Sequence, residues 1–444
     1  MEPEIIFDDL GRSYHTHFDR RVFLRADSNG YRYSFELGDL ISNSSVVNDD
    51  ALEFANCFGF IYPPATVYKY IYLIPPATFF EIKDSKVFLG GLIDAVSRLN
   101  DTSLSLEDFS LYLERRLDAV MQKLPEGYDE AQCLFSAGID SSVLLGILKR
   151  HTHVKALMCD MPSMPSEKSK AVSMSIQGDF DVDVITLQHD LKLYVDKAVD
   201  LIQEPIYDNA AILLLALFSE AKVSKEKSMI FDGQGADSLF FGLPHNRVFS
   251  LYHKFSLIFS NLKLLNFLPR FSRRDTTIRR FIYRVRRALD LLFSSSQAEF
   301  LIKSLALPGK EIAEFRNNLT FSAMSDDVEN LVSKFPNDQQ SAIRALFMLR
   351  LLPARELQKY DVLRRAGYNV SLPYMRKDIV LEMFAYPSDY FIVNGIYKYP
   401  VYKICKKLWP GYFDSFSTSP FYHEFNSGGE TNILDYTIKK IRSI

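Results

Sequence analysis

The chain has 444 residues, 47% of them hydrophobic, which is enough to bury a large core and to build two or three domains. Its formal net charge of −3 excludes a surface built throughout for nucleic acid, because such domains are strongly basic; any basic patch must be local. No apolar run is long enough to cross a bilayer, and Glu2, Glu4, Asp8 and Asp9 leave no apolar h-region at the start, so the expected location is the cytoplasm.

Residues up to about Gly91 are rich in strand formers. Tyr31 to Phe35, Tyr68 to Ile74, Phe79 to Ile82 and Lys86 to Leu89 read as strands, with Asp84-Ser85 as a hairpin turn between the last two. They make a small β-rich domain over residues 1–100. Four cysteines, Cys57, Cys133, Cys159 and Cys405, lie far apart without the spacing of a zinc site and read as buried free thiols.

From Leu104 the pattern turns helical, with Phe109, Leu111, Leu113, Leu117, Val120 and Met121 leading to the stretch Gln132 to Leu145. That stretch reads as strand, tight loop and helix. Cys133 to Phe135 are apolar, Ser136-Ala137-Gly138 let the backbone turn, and Val143, Leu144, Ile147 and Leu148 recur at helical spacing. A loop on a helix N-terminus meets unpaired N–H groups and the positive end of the helix dipole, and Ser136, Ser141 and Ser142 add hydroxyl donors, so it suits phosphate. Asp140 would repel a phosphate there unless a divalent cation stood between them, which points to a magnesium-bound nucleotide. The Gly-x-x-x-x-Gly-Lys pattern occurs nowhere, so this is a different phosphate cradle. Taken alone, the loop could equally be a plain turn before a helix.

Elements then alternate: Val154 to Met158 as strand, Glu167 to Ile176 as helix, Val182 to Leu187 as strand, Lys192 to Ile202 and Ile212 to Ala221 as helices, and Met229 to Phe231 as strand. Alternation of this kind predicts a parallel sheet covered on both faces, with ligands at the carboxyl ends of its strands. The motif Asp232-Gly233-Gln234-Gly235-Ala236-Asp237 occupies such an end, and its glycines permit close backbone approach to a ligand. In the plainer reading Asp232-Gly233 is a turn and Asp237 caps the next helix. Two strand ends of one sheet would bring Asp140 and Asp237 to the same crevice, as two hard carboxylates for Mg2+.

The pattern Ser136-x-Gly138-x-Asp140-Ser141 resembles the pyrophosphate loop of the ATP pyrophosphatases. Its pairing with the second glycine loop resembles the asparagine synthetase class B and β-lactam synthetase family, over Leu104 to Lys407. The resemblance implies an α/β fold in which residues 101–444 form an adenylating synthetase domain, a parallel sheet with a helical C-terminal part. It implies ATP and Mg2+ as cofactors and amide-bond formation through an acyl-adenylate. By the same resemblance Ser136, Ala137, Gly138, Asp140, Ser141, Ser142 and Gly233 hold the nucleotide, Met158 lies against adenine, and Asp140 and Asp237 contact the metal. Glu167 to Ala171 and Glu204-Pro205 fit the pattern as well. Leu372-Pro373-Tyr374, then Glu382 and Pro387, then Gly395-Ile396-Tyr397-Lys398 resemble the stretch that ends in an active-site lysine. Lys398, rather than the neighbouring Lys403, Lys406 or Lys407, is therefore the expected catalytic cation, stabilising the negative charge that develops during the reaction.

Departures from the family are equally informative. Cys57 through Thr66 and Tyr72 through Ile82 resemble the last part of a glutaminase domain, in which the cysteine after the initiator methionine attacks glutamine. Here Glu2-Pro3 stands at that place, so the domain at 1–100 is expected to be truncated and inactive. β-Lactam synthetases carry a tyrosine in the second glycine loop, paired with a downstream glutamate, and asparagine synthetases carry a glutamate there. This chain has Gln234 at the catalytic loop position, which cannot act as a base, and Asn369 at the downstream one; either a nearby carboxylate such as Asp361 takes the proton or the enzyme needs no dedicated base.

Loss of glutaminase chemistry and of the tyrosine pair leads to a lasso-peptide macrolactam cyclase, an enzyme that joins an Asp or Glu side chain of a precursor peptide to its N-terminal amine, with a leader-peptide protease as partner. The rival enzyme is an asparagine-synthetase-like amidotransferase using ammonia from solution or another subunit. The rival of another class is a non-catalytic scaffold, which Asp140, Asp237 and Lys398 disfavour. A basic stretch over residues 254–287 carries Lys254, Lys263, Arg270, Arg273, Arg274, Arg279, Arg280, Arg284, Arg286 and Arg287. It reads as a solvated helix face, or as a docking surface for an acidic peptide, a partner enzyme or a membrane.

Overall fold

Alternating apolar residues in the first hundred positions build two antiparallel sheets. In chain order the strands are β1 (Ile6–Phe7), β2 (Ser13–Tyr14), β3 (Val22–Asp27), β4 (Gly30–Ser34), β5 (Ile71–Ile74), β6 (Thr78–Lys83) and β7 (Lys86–Leu92). One sheet has the order β1-β2-β6-β7 and the other β4-β3-β5. The period of two along β3 divides its side chains: Val22, Leu24 and Ala26 form a small core with Phe80 and Val87 of the other sheet, whereas Phe23 joins the main core. Asp84 and Ser85 link β6 to β7 at φ 50° and 58°, the geometry of a tight hairpin turn. The expected strand from Tyr68 is shorter, because Tyr70 turns at φ 65° and pairing with β3 begins at Ile71.

The computed structural model describes the chain except for residues 1, 29, 99–102, 123, 125–126, 161–166, 188–190, 260–290, 308–309, 311, 413–432 and 444. Apart from the end of the helix Pro244–Phe259, the basic stretch 254–287 lies outside the described residues.

The remaining strands are β8 (Glu130–Leu134), β9 (Val154–Asp160), β10 (Asp181–Thr186), β11 (Ser228–Phe231) and β12 (Asn369–Ser371), all parallel, in the order β10-β9-β8-β11-β12. The chain winds outward from β8 through β9 to β10 and then returns to the other side of β8 as β11. That reversal opens a crevice between the carboxyl ends of β8 and β11, the place where open parallel sheets bind ligands. The crossover helices Ile139–Leu148, Lys168–Gly178, Lys192–Ile202 and Ala210–Glu220 follow the sequence expectation closely. Ala210–Glu220 is apolar almost all round and correspondingly buried from Ala211 to Phe218.

Two C-terminal elements carry no clear sequence period. β12 has three residues. Phe347–Glu356 is a π-helix containing Pro353, whose missing N–H a wide turn tolerates, and it runs directly into Gln358–Arg365. No helix among the described residues is long and apolar enough to cross a membrane.

Buried ion pairs lock the β-rich layer onto the helices. Arg21 Nε donates to Asp361 Oδ2 at 2.5 Å, and its Nη2 pairs with Glu204. Arg350, fully buried on the π-helix, donates to Asp327 at 2.6 and 3.1 Å and to Thr78 of β6 at 2.7 Å, while Tyr62 donates to the same carboxylate at 2.8 Å. Asp327→Ala would strand the Arg350 charge in the core and should destabilise the protein by about 3–5 kcal/mol. Thermal denaturation checks this; the double change Asp327→Leu, Arg350→Met leaves no buried charge and should recover much of the loss.

Candidate active site

The β8 strand ends at Leu134, and Phe135 holds the turn by donating its N–H to Leu157 O at 2.9 Å. Ala137 adopts φ 52°, a left-handed conformation unusual for a residue with a Cβ, and Gly138 then starts the helix Ile139–Leu148 with no side-chain cap. Its first-turn N–H groups therefore face the crevice end without intrahelical partners. Ser141 Oγ sits 3.3 Å from Ser136 Oγ, and Ser142 Oγ is buried with no hydrogen-bond partner. Ser136, Ala137, Gly138, Asp140, Ser141 and Ser142 thus form one continuous cradle.

The second loop leaves β11 beside it. Phe231 and Cys133 are register partners, and a Cβ added at Gly233 would lie 3.2 Å from Asp140 Cβ, so the two loops touch. Gly235 turns at φ 94°, where a Cβ would overlap Met375 Sδ. Asp237 projects from this loop with its side chain 56% exposed. Lys398 reaches in from the C-terminal side, at φ 56° on the N-cap of Tyr399–Leu408, and its Nζ lies 2.6 Å from Asp140 Oδ2 and 2.5 Å from Asp237 Oδ1. A Cβ at Gly242 would overlap Lys398 Cε, which explains the glycine there.

Burial pushes the Asp140 carboxyl up to about 6 against the pull of Lys398. Burial alone would lower the Lys398 ammonium, but Asp140 and Asp237 outweigh it and hold it above the ordinary lysine value. The cluster therefore sets the Lys398 cation between Asp140 and Asp237, at a phosphate-type loop. The lysine helix is pinned by Trp409, which donates to Ser142 O at 2.8 Å and packs against Phe180.

A family model for asparagine synthase matches residues 114–413, which include both loops and Lys398. The chain belongs to the asparagine synthase family. No curated protein matches the chain. Membership of this family implies a ligase-type enzyme that forms amide bonds at the expense of ATP, and the family binds ATP typically with Mg2+.

The residues present fit a magnesium-bound nucleotide. Asp140 Oδ1 is buried and has no hydrogen-bond partner, leaving a hard oxygen donor beside the cradle. Two carboxylates are the number Mg2+ commonly takes from a protein when nucleotide phosphates supply the rest. No larger metal-type cluster occurs among the described residues. Met158 is a buried residue of β9 opposite Val184, and it follows Leu157, whose carbonyl accepts from Phe135 at the start of the first loop.

Gln234, next to the Gly233 that abuts Asp140, enters a polar network that the sequence reading missed. Its Nε2 donates to Glu356 Oε2, and its Oε1 accepts from Lys359 Nζ at 2.6 Å. Lys359 also pairs with Asp208 at 3.5 Å, and Tyr360 donates to Asp232 at 2.5 Å. Asp361, expected as a proton acceptor, is instead bound by Arg21, with Arg364 3.7 Å away. Asn369 is also misplaced by the family pattern. It pairs with Met229 at the amino end of β11 and donates to Lys225 O, so it stands away from the carboxyl end where Gln234 lies.

Proposed function

We propose that this enzyme activates an Asp or Glu side chain of a peptide as the acyl-adenylate and joins it to the peptide's own N-terminal amine, the reaction of a lasso-peptide cyclase. The observation that carries this reading is the Asp140–Lys398–Asp237 cluster at the phosphate loop, in a chain whose thiols are unfit to liberate ammonia from glutamine. Burial pushes Cys57 and Cys159 up to about 11 and raises Cys133 and Cys405 further, so none is a thiolate nucleophile at neutral pH. The amine then has to come from elsewhere, and a folded peptide supplies it at high effective concentration.

In the first step a peptide carboxylate oxygen attacks the α-phosphate of ATP and pyrophosphate departs. The loop N–H groups and Ser136, Ser141 and Ser142 hold the phosphates, and the Lys398 ammonium offsets the charge that builds on them. Asp140 and Asp237 would hold Mg2+, which neutralises phosphate charge when bound. In the second step the N-terminal amine attacks the acyl carbon, the bond to the adenylate oxygen breaks, and AMP leaves with the electron pair.

The reading implies a protease that frees the peptide N-terminus, and a cytoplasmic site where ATP is abundant. The β-rich layer at 1–100 then serves as a glutaminase-derived support without catalysis, and the basic stretch 254–287 as a docking surface for the peptide or protease. The test is pyrophosphate release from ATP with synthetic peptides that carry a free N-terminus and one Asp or Glu, with glutamine and ammonia varied separately. The expected product is the peptide minus one water, formed with AMP and without glutamine. If the product gains an ammonia-derived amide, or if only small acids are consumed, the amidotransferase replaces the cyclase. A scaffold would release no pyrophosphate.

A further inference from the structure

The second glycine loop ends its contacts on a carboxylate that no expectation included. Gln234 is clamped by its amide: Lys359 has only donors, so it must meet Oε1, and Nε2 must therefore point at an acceptor, which is Glu356. Glu356 is the last residue of the π-helix Phe347–Glu356 and is half-buried. Wide helical turns of this kind often mark functional positions, and here the extra turn width ends where the helix meets the loop.

The carboxylates around the loop divide clearly. Asp232 is occupied by Tyr360, Asp208 by Lys359 and by the Ala210 N–H, and Asp361 by Arg21. Asp140 and Asp237 belong to Lys398. Glu356 uses Oε2 for Gln234, and its Oε1 takes no hydrogen bond from any described residue. Lys359 cannot accept a proton in its place: burial would lower its ammonium, but Asp208, Glu356 and Asp232 keep it above the ordinary lysine value. Gln234 itself touches the crevice through Gly233, which abuts Asp140.

We propose that Glu356 is the catalytic carboxylate for the amine: Oε1 receives the ammonium, takes its proton, and releases the free amine toward the acyl-adenylate held at the two loops. Gln234 fixes the carboxylate in place, so the base has moved from the loop to the end of the helix facing it. In balance, the ammonium gives its first proton to Glu356, the amine nitrogen bonds to the acyl carbon, the acyl–oxygen bond breaks with its electron pair staying on AMP, and the nitrogen's second proton leaves with the AMP phosphate. This rests on the amide-forming reading above.

The experiment compares Glu356→Gln with the full wild-type chain, using a synthetic peptide with a free N-terminus and one Glu side chain. Pyrophosphate, cyclised peptide and, with hydroxylamine added, the peptide hydroxamate are measured. Hydroxylamine is uncharged at working pH and captures the acyl-adenylate without a base. Glu356→Gln should form cyclic amide at least ~10²-fold more slowly, the usual scale for a positioned general base, yet form hydroxamate and pyrophosphate within about threefold of wild type. Unchanged cyclisation would overturn the proposal, and so would an equal fall in hydroxamate, which would mean a merely structural role. A wild-type protein that yields neither hydroxamate nor pyrophosphate would instead remove the amide-forming reading itself.

Discussion

Asp140→Asn should reduce ATP-dependent pyrophosphate release by at least ~10³-fold, the loss of roughly 4 kcal/mol that follows when a phosphate-bound cation loses a charged ligand in a dry site. Asp140 is the stronger choice of the two aspartates because its side chain is 22% exposed against 56% for Asp237. Its Oδ1 is buried and unpartnered, and Oδ2 is the oxygen that holds Lys398. An asparagine keeps the volume but has one acceptor oxygen. Whichever way the amide turns, either Lys398 or the cation position meets an N–H2 group. The fold should survive. In the folded state the carboxyl is raised from the ordinary 3.8 to about 6, so above that range its ionised form destabilises the folded chain, and the penalty vanishes only as pH falls below the unfolded value. Removing the charge at neutral pH takes away that penalty and also one of the two carboxylates that hold the buried Lys398 ammonium, so the two effects oppose each other, with Asp237 still beside Lys398. Thermal denaturation of the variant should match wild type while its pyrophosphate release is lost; near-normal turnover would sink the metal assignment.

That site was half legible before the structure. Asp140 and Asp237 could be paired from sequence because each follows an apolar strand into a glycine turn, and parallel sheets collect such turns at one edge; β8 and β11 are indeed neighbours. Lys398 had no comparable local signal. It sits in a left-handed N-cap 258 positions beyond Asp140, among other lysines, and only likeness to a known pattern singled it out.

Glu356 was invisible for a physical reason. The π-helix that presents it has neither a 3.6 nor a 2 period in its apolar residues, and Pro353 reads as a helix end rather than a turn inside one. The family pattern led instead to Asn369, the first residue of a three-residue strand, which lies opposite Met229 rather than at the carboxyl end of β11. The ion pairs of Arg21 were equally hidden, since its partners stand 183 and 340 positions away. Such contacts leave no trace in local patterning, and Asp361 looked available only because Arg21 could not be seen beside it.

Lys398→Met should lower the rate of pyrophosphate release at least ~10²-fold, the scale for removing one preorganised charge stabiliser. Its effect should fall on the rate more than on nucleotide affinity, because the loop N–H groups and serines hold the phosphates in the ground state, while the ammonium answers charge that develops as pyrophosphate leaves. Methionine keeps the length of the buried stem, which is 96% covered and runs past Gly242, so a large loss cannot be blamed on a cavity. Arginine should not rescue the function. The guanidinium is broader than the ammonium, the wall at Gly242 leaves the stem no space to shift, and two carboxylates already fix a point charge there. With Lys398 gone, Asp140 loses the group that now opposes its burial, and its carboxyl should rise above about 6. The activity that remains should then fade at a higher pH than in the wild type as acid is added. Pyrophosphate release measured against pH for wild type, Lys398→Met and Lys398→Arg checks all three points. A loss of only a few-fold in Lys398→Met would move the charge-stabilising role to another cation, with Lys359 beside Gln234 the next to test.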